Sequence, residues 1–267
     1  MTLNEQAAVD LGAIRRLRPL VHNITNFVVM NETANVLLAL GALPVMAHAP
    51  EEVAEMVSVA GALVLNIGTL SKEWVESMKI AGRRANEVGV PVVLDPVGAG
   101  ATTMRTRLSL EILEVIKVDI VRGNAAEVAA LTGMAAEIRG VESLAAGASI
   151  DSGAALAHTR GCVVAVTGPV DVVTDGRRIA AISNGHRMLT RVTGTGCMAS
   201  AMTGAFAAVQ KDCFLAAVGA LVAFGLAGEM AAEVADEKPG TFHVEIYNAI
   251  SALTPEKLRF EAKVELA

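Results

Sequence analysis

Val90-Pro91-Val92-Val93-Leu94-Asp95-Pro96-Val97-Gly98-Ala99-Gly100-Ala101-Thr102 decides how this chain folds. The run Val90 to Asp95 is apolar and largely β-branched, with Gly89 before it and Pro96 after it. It reads as a buried strand that ends on a carboxylate. Further strands are expected at Leu43 to Met46, Ala62 to Leu65, Val118 to Val121 and Cys162 to Val166, with helices between them at Glu51 to Val59 and Lys72 to Glu87. Such alternation predicts an α/β fold with a mostly parallel central sheet and helices on both faces. Later, Asp175-Gly176 separates Val170 to Thr174 from Arg178 to Ile182, which is the signature of an antiparallel hairpin at the sheet edge. Met198 to Val234 reads as two apolar helices broken near Lys211-Asp212, and Phe242 to Leu253 as a final amphipathic helix. With no long linker or internal repeat, residues 1–267 are expected to form a single domain.

Composition narrows the function. The 267 residues carry 22 Lys plus Arg against 28 Asp plus Glu, a net charge of −6 that lacks the basic footprint of a nucleic-acid partner. A hydrophobic share of 53% against 19% charged excludes global disorder and leaves apolar surface for a possible oligomer. The apolar run Cys213 to Gly228 falls short of the roughly 17 to 25 residues of a bilayer span and is expected to be a buried helix, with no membrane partner. Met1 to Asp10 lacks a basic region followed by an apolar stretch, so a cytoplasmic protein is expected. Cys162, Cys197 and Cys213 form no CxxC pair, which disfavours structural zinc and a disulfide framework.

In open parallel sheets ligands collect at the carboxyl ends of the strands. There Asp95 precedes glycines that permit close backbone approach, an arrangement that suits a metal-linked phosphate, although a loop cap followed by turn glycines would read the same way. Arg122-Gly123-Asn124-Ala125-Ala126-Glu127 sets a guanidinium for phosphate oxygens near a carboxylate for Mg²⁺ or its waters, while Asn124 and Glu127 are also spaced as a capping box. Thr193-Gly194-Thr195-Gly196-Cys197-Met198-Ala199-Ser200 is a glycine turn entering a helix, whose free N–H groups form an anion hole. The stretch also fits GxGxxA, but it lies late in the chain and no acidic residue clearly ends a following strand, which argues against a dinucleotide site. Cys197 at the helix start is either a nucleophile or base, or a small buried hydrophobe. His22 suits a hydrogen-bonded structural role better than catalysis, and the scattered histidines suggest no metal site. No GxxxxGK[ST] sequence occurs.

Six ordered motifs then resemble the hydroxyethylthiazole kinase branch of the ribokinase-like family over nearly the whole chain: residues 19–26, 41–46, 65–70, 95–102, 122–127 and 194–197. The resemblance implies a ribokinase-like fold with no separate lid domain, and Mg²⁺- and ATP-dependent phosphorylation of the primary hydroxyl of 4-methyl-5-(2-hydroxyethyl)thiazole. It further implies that Arg122 and Thr167 hold ATP phosphates, that Asp95 and Glu127 position Mg²⁺, and that Asn26, Met46, Gly68 and Gly194 line the thiazole pocket. Gly194, Thr195, Gly196 and Cys197 become the catalytic turn, with Cys197 standing where an aspartate base is common elsewhere in the group. A homotrimer with active sites between subunits is also implied. Another vitamin-alcohol kinase of the pyridoxal or hydroxymethylpyrimidine type, a non-catalytic thiazole or nucleotide sensor, and a Cys-dependent hydrolase are the competing readings. The hydrolase lacks a His partner for Cys197.

Overall fold

A computed structural model describes residues 1–133 and 145–266. Among the described residues nine strands form one sheet in the order β2-β1-β3-β4-β5-β6-β7-β8-β9. The parallel part comprises β1 (Leu20–Ile24), β2 (Leu43–Val45), β3 (Ala62–Asn66), β4 (Val92–Asp95), β5 (Ile120–Asn124) and β6 (Val163–Thr167). The expected hairpin forms as β7 (Asp171–Thr174) and β8 (Ile179–Ile182), turning at Gly176, and β9 (Val264–Leu266) adds a further antiparallel edge strand.

Alternation along the strands feeds two cores, because successive side chains point to opposite faces. Val64, Val93, Ile120 and Ala165 pack on the face covered by α1 (Leu3–Leu17), α2 (Met30–Leu40), α8 (Thr195–Ala207), α9 (Cys213–Ala235) and α10 (Pro239–Ala252). Leu63, Leu65, Val92, Leu94 and Val121 pack on the other, beneath α3 (Val53–Val59), α4 (Lys72–Val88), α5 (Thr103–Val115), α6 (Ala125–Thr132) and α7 (Ala145–Arg160). The short α11 (Pro255–Glu261) packs on α1 and α9. By length and composition α9 could cross a membrane, but 78% of its most apolar window is buried, which makes it the core helix expected from Cys213 to Gly228.

Three differences from the sequence reading have a physical reason. β5 runs on through Arg122 and Gly123 to Asn124, because β6 offers a partner at each step as far as Thr167. Pro239 starts α10, three residues before the expected Phe242, since proline's missing N–H costs nothing in a first helical turn. The polar stretch around His22 is strand β1, flanked by β2 and β3 and buried on both faces. His22 Nε2 pairs with the Ala47 carbonyl at 2.6 Å and Asn23 Nδ2 donates to the Val21 carbonyl at 2.9 Å, which satisfies one polar atom of each side chain and leaves His22 Nδ1 and Asn23 Oδ1 buried without a partner. Burial lowers the pKa of His22, so it serves as a neutral, hydrogen-bonded strand residue.

Candidate active site

At the carboxyl ends of β3, β4 and β5, facing the start of α8, lies a pocket of about 370 Å³. Its lining includes Asn26, Gly68, Asp95, Arg122, Glu127, Gly194, Gly196 and Cys197, which are scattered through the sequence and converge on one sheet edge. Asp95 is fully buried at the end of β4. Its Oδ2 accepts from Asn66 Nδ2 at 2.9 Å and Ser200 Oγ at 2.8 Å, while its Oδ1 has no partner. Burial and, after it, the charge of Glu127 push its pKa up to about 6, against the pull of Arg122, whose Nη1 lies 3.9 Å from Oδ2. Asp95 is therefore not a loop cap; it is a buried acceptor with one oxygen uncommitted.

Arg122, in β5, donates from Nη2 to Thr167 Oγ1 at 2.7 Å, bringing together the two residues expected at ATP phosphates. Its Nε is buried without a partner. Asp171, at the start of β7, accepts the Gly168 N–H at 2.9 Å, and burial raises its pKa to about 6 despite Arg122. The expected capping box of α6 is formed, with Asn124 Oδ1 accepting the Glu127 N–H and Glu127 Oε2 accepting the Asn124 N–H. Glu127 Oε1 also accepts the Gly98 N–H at 2.8 Å, so this carboxylate ties the two loops together while lining the pocket.

Gly194 caps α8 with φ +87°, a conformation that L side chains rarely adopt, and no side chain caps this helix. A Cβ on Gly196 would lie 2.7 Å from Arg122 Nη1, so glycine is what lets the guanidinium approach the helix start. Thr195 does not line the pocket; its hydroxyl donates to the Leu189 carbonyl at 2.8 Å, leaving its backbone N–H as its contribution to the turn. Cys197 Sγ receives Asn66 Nδ2 at 3.2 Å and Asn26 Nδ2 at 3.5 Å. Burial, followed by the charge of Asp95, pushes its thiol up to about 11, which outweighs the helix-start effect that would favour a thiolate.

On the acceptor side, Gly68 and Asn26 line the pocket and meet through Asn66, whose Oδ1 accepts from the Gly68 N–H and from Asn26 Nδ2. Met46 does not join them; it is half-buried just beyond β2, outside the pocket lining of this chain. Phe27 and Val28, 65% and 58% exposed, stand at the same end, where Phe27 leans on Trp74 and His48 stacks on the same indole. Asn66, Ser200 and Arg105 were not picked out in sequence. Asn66 ends a strand as Asp95 does, and Ser200 lies one helical turn after Cys197, so strand ends and helix faces could have revealed both. Arg105 grips the loop carbonyls of Ile67, Val97 and Gly68.

Among the described residues no group of three or more His, Cys, Asp or Glu could enclose a metal ion. Asp95 and Glu127 nevertheless give two hard oxygen donors, one of them with an unpartnered oxygen, and that fits Mg²⁺, which keeps waters and phosphate oxygens in most of its coordination sites.

A family model described as the hydroxyethylthiazole kinase family matches residues 11–256. The chain is 55% identical over 263 residues to the hydroxyethylthiazole kinase of Roseiflexus sp. (strain RS-1), covering 98% of this chain and 97% of that protein. It is 53% identical to the hydroxyethylthiazole kinase of Chloroflexus aurantiacus (strain ATCC 29366 / DSM 635 / J-10-fl), with 99% and 98% covered. Its structure is similar to that of the hydroxyethylthiazole kinase protein from Pyrococcus horikoshii OT3, with a TM-score of 0.91, 51% identity and 98% of each chain covered. The pyridoxal kinase from Staphylococcus aureus in complex with ADP gives a TM-score of 0.62 at 16% identity, covering 78% of this chain and 87% of that one, a likeness of fold alone.

Proposed function

The chain belongs to the hydroxyethylthiazole kinase family, and we propose from that premise that its pocket transfers the γ-phosphoryl group of ATP to the primary hydroxyl of 4-methyl-5-(2-hydroxyethyl)thiazole, residues 1–267 acting as one kinase domain. The observation that carries this reading is the convergence of Asp95, Arg122, Glu127 and the uncapped start of α8 on one pocket. In the reaction a bond forms between the acceptor oxygen and the γ-phosphorus, the bond from that phosphorus to the β-phosphate bridging oxygen breaks, and ADP leaves. The hydroxyl proton passes to a phosphoryl oxygen and then to solvent, as suits a loose transition state that asks little of a base.

Arg122 and Thr167 hold the phosphates, and the N–H groups of Thr195, Gly196 and Cys197 face the charge that spreads over the transferring group. Asp95 and Glu127 are the residues that would hold Mg²⁺, directly or through water. Bound there, the ion would neutralise phosphate charge during transfer. Cys197, held neutral, orients the acceptor hydroxyl and is a weak base at most.

Asn26, Gly68 and Gly194 form the acceptor wall on this chain. Met46 lies outside that wall, while the apolar Val28, which lines the pocket, and its neighbour Phe27 stand exposed. Both features support a homotrimer in which Met46 of one subunit completes a neighbour's pocket. The working compartment is the cytoplasm, where ATP and Mg²⁺ are plentiful. ADP release that depends on both Mg·ATP and the thiazole alcohol tests the chemistry, and sedimentation of the active species tests the assembly. A fully active monomer would overturn the shared site.

A further inference from the structure

Asn66 is the last residue of β3 and stands in register with Asp95, the last residue of β4. Its buried amide is saturated. Nδ2 donates to Asp95 Oδ2 at 2.9 Å and to Cys197 Sγ at 3.2 Å, while Oδ1 accepts from Asn26 Nδ2 at 2.8 Å and from the Gly68 N–H at 2.9 Å. A primary amide has two N–H donors and two acceptor lone pairs, and here all four are used. The partners also fix which end is which, since the Gly68 N–H can only donate. One end of the side chain thus faces the reacting groups and the other faces the acceptor wall.

We propose that Asn66 is a positioning residue for phosphoryl transfer, its NH₂ end setting the Asp95 carboxylate against the Cys197 thiol and its carbonyl end fixing the wall formed by Asn26 and Gly68. This inference rests on the kinase reading above. Among the described hydrogen bonds no other side chain bridges the two reacting groups: Ser200 reaches Asp95 alone, and Asn26 reaches Cys197 alone. Because Asn66 and Ser200 both donate to Oδ2 of Asp95, the buried Oδ1 is left with no hydrogen-bond partner. Two amide donors on Cys197 Sγ likewise turn its S–H away from Asn66 and Asn26. A displacement of about 1 Å at such a site costs about 10²-fold in rate, so loss of the bridge belongs in kcat and loss of the wall belongs in KM.

Steady-state kinetics with Mg·ATP and 4-methyl-5-(2-hydroxyethyl)thiazole separates the two ends. Asn66→Asp keeps an acceptor oxygen for Gly68 and Asn26 but loses the N–H donors, and is expected to lower kcat at least about tenfold with the thiazole KM within about threefold of the parent. Asn66→Ala loses both ends, and is expected to lower kcat as far and to raise that KM at least about fivefold. A folded Asn66→Ala with kcat within about threefold of the parent overturns the proposal, as does an Asn66→Asp that changes kcat and KM by the same factor. Should Asn66→Asp not fold, the alanine variant decides on kcat alone. A parent chain without thiazole-dependent ADP release fails the kinase reading itself, whereas an active parent indifferent to residue 66 fails this inference alone.

Discussion

Around Asp95, four elements of one chain (β3, β4, β5 and α8) close a polar site in which most side chains are already committed to one another, whereas at the same sheet edge the apolar Phe27 and Val28 stand exposed and Met46 lies half-buried outside the pocket lining. The first region needs only ligands, because its charges, amides and glycine turn are positioned by strands in register. The second lacks a wall. On the proposed reading, the charged chemistry rests on the fold of a single chain, and recognition of the apolar ring draws on a surface that a second copy would complete.

The largest effect that would sharpen this contrast is expected at Arg122. Arg122→Ala removes the proposed phosphate ligand and the cation 3.9 Å from Asp95 Oδ2, and should lower kcat/KM for Mg·ATP by about 10³-fold. Near-parent turnover would remove the guanidinium from the reaction. On the open side, Phe27→Glu should dissociate the assembly and reduce activity by about 10²-fold at low protein concentration, with partial recovery as concentration rises. Sedimentation read beside the activity checks this, and an active dissociated species would break the comparison. Cys197→Ala should slow turnover only about tenfold, since a thiol raised to about 11 stays protonated at neutral pH and so is not available as a base, and the anion hole remains. Turnover equal to the parent would take Cys197 out of the mechanism.

The smallest effect concerns stability. Asp171 has its pKa raised from 3.8 to about 6, so the folded state holds its proton more tightly than the unfolded chain. Its contribution is complete below about pH 4 and is lost as pH rises through about 6, a change on the order of 3 kcal/mol. Asp171→Asn keeps an acceptor for the Gly168 N–H and removes the titration. Denaturation midpoints at pH 4 and pH 7 should therefore fall less in the variant than in the parent. An identical fall in both would assign the pH dependence to other groups.

Much of the fold was legible because it rests on local chemistry. Asp175-Gly176 announced its hairpin, and the run into Asp95 announced a strand buried on both faces. β1 was not read as a strand because His22 and Asn23 interrupt its apolar pattern, and what makes them tolerable, the Ala47 and Val21 carbonyls, is visible only after folding. In the same way, Asp95, Arg122, Glu127 and Cys197 stood out by type and by their place after a strand or before a helix. Asn66 did not, because three of its four hydrogen-bond partners lie 29, 40 and 131 residues away along the chain. Glu127 shows that two readings of one residue can both hold, as it closes a capping box and lines the pocket with the same carboxylate.

The central claim is tested most directly by Mg·ATP-dependent ADP release with 4-methyl-5-(2-hydroxyethyl)thiazole, run beside hydroxymethylpyrimidine, pyridoxal and a control without acceptor. Turnover confined to the thiazole and abolished by chelation of Mg²⁺ is the predicted result. Preferential turnover of another alcohol, or ligand binding without acceptor-dependent ADP release, would contradict it.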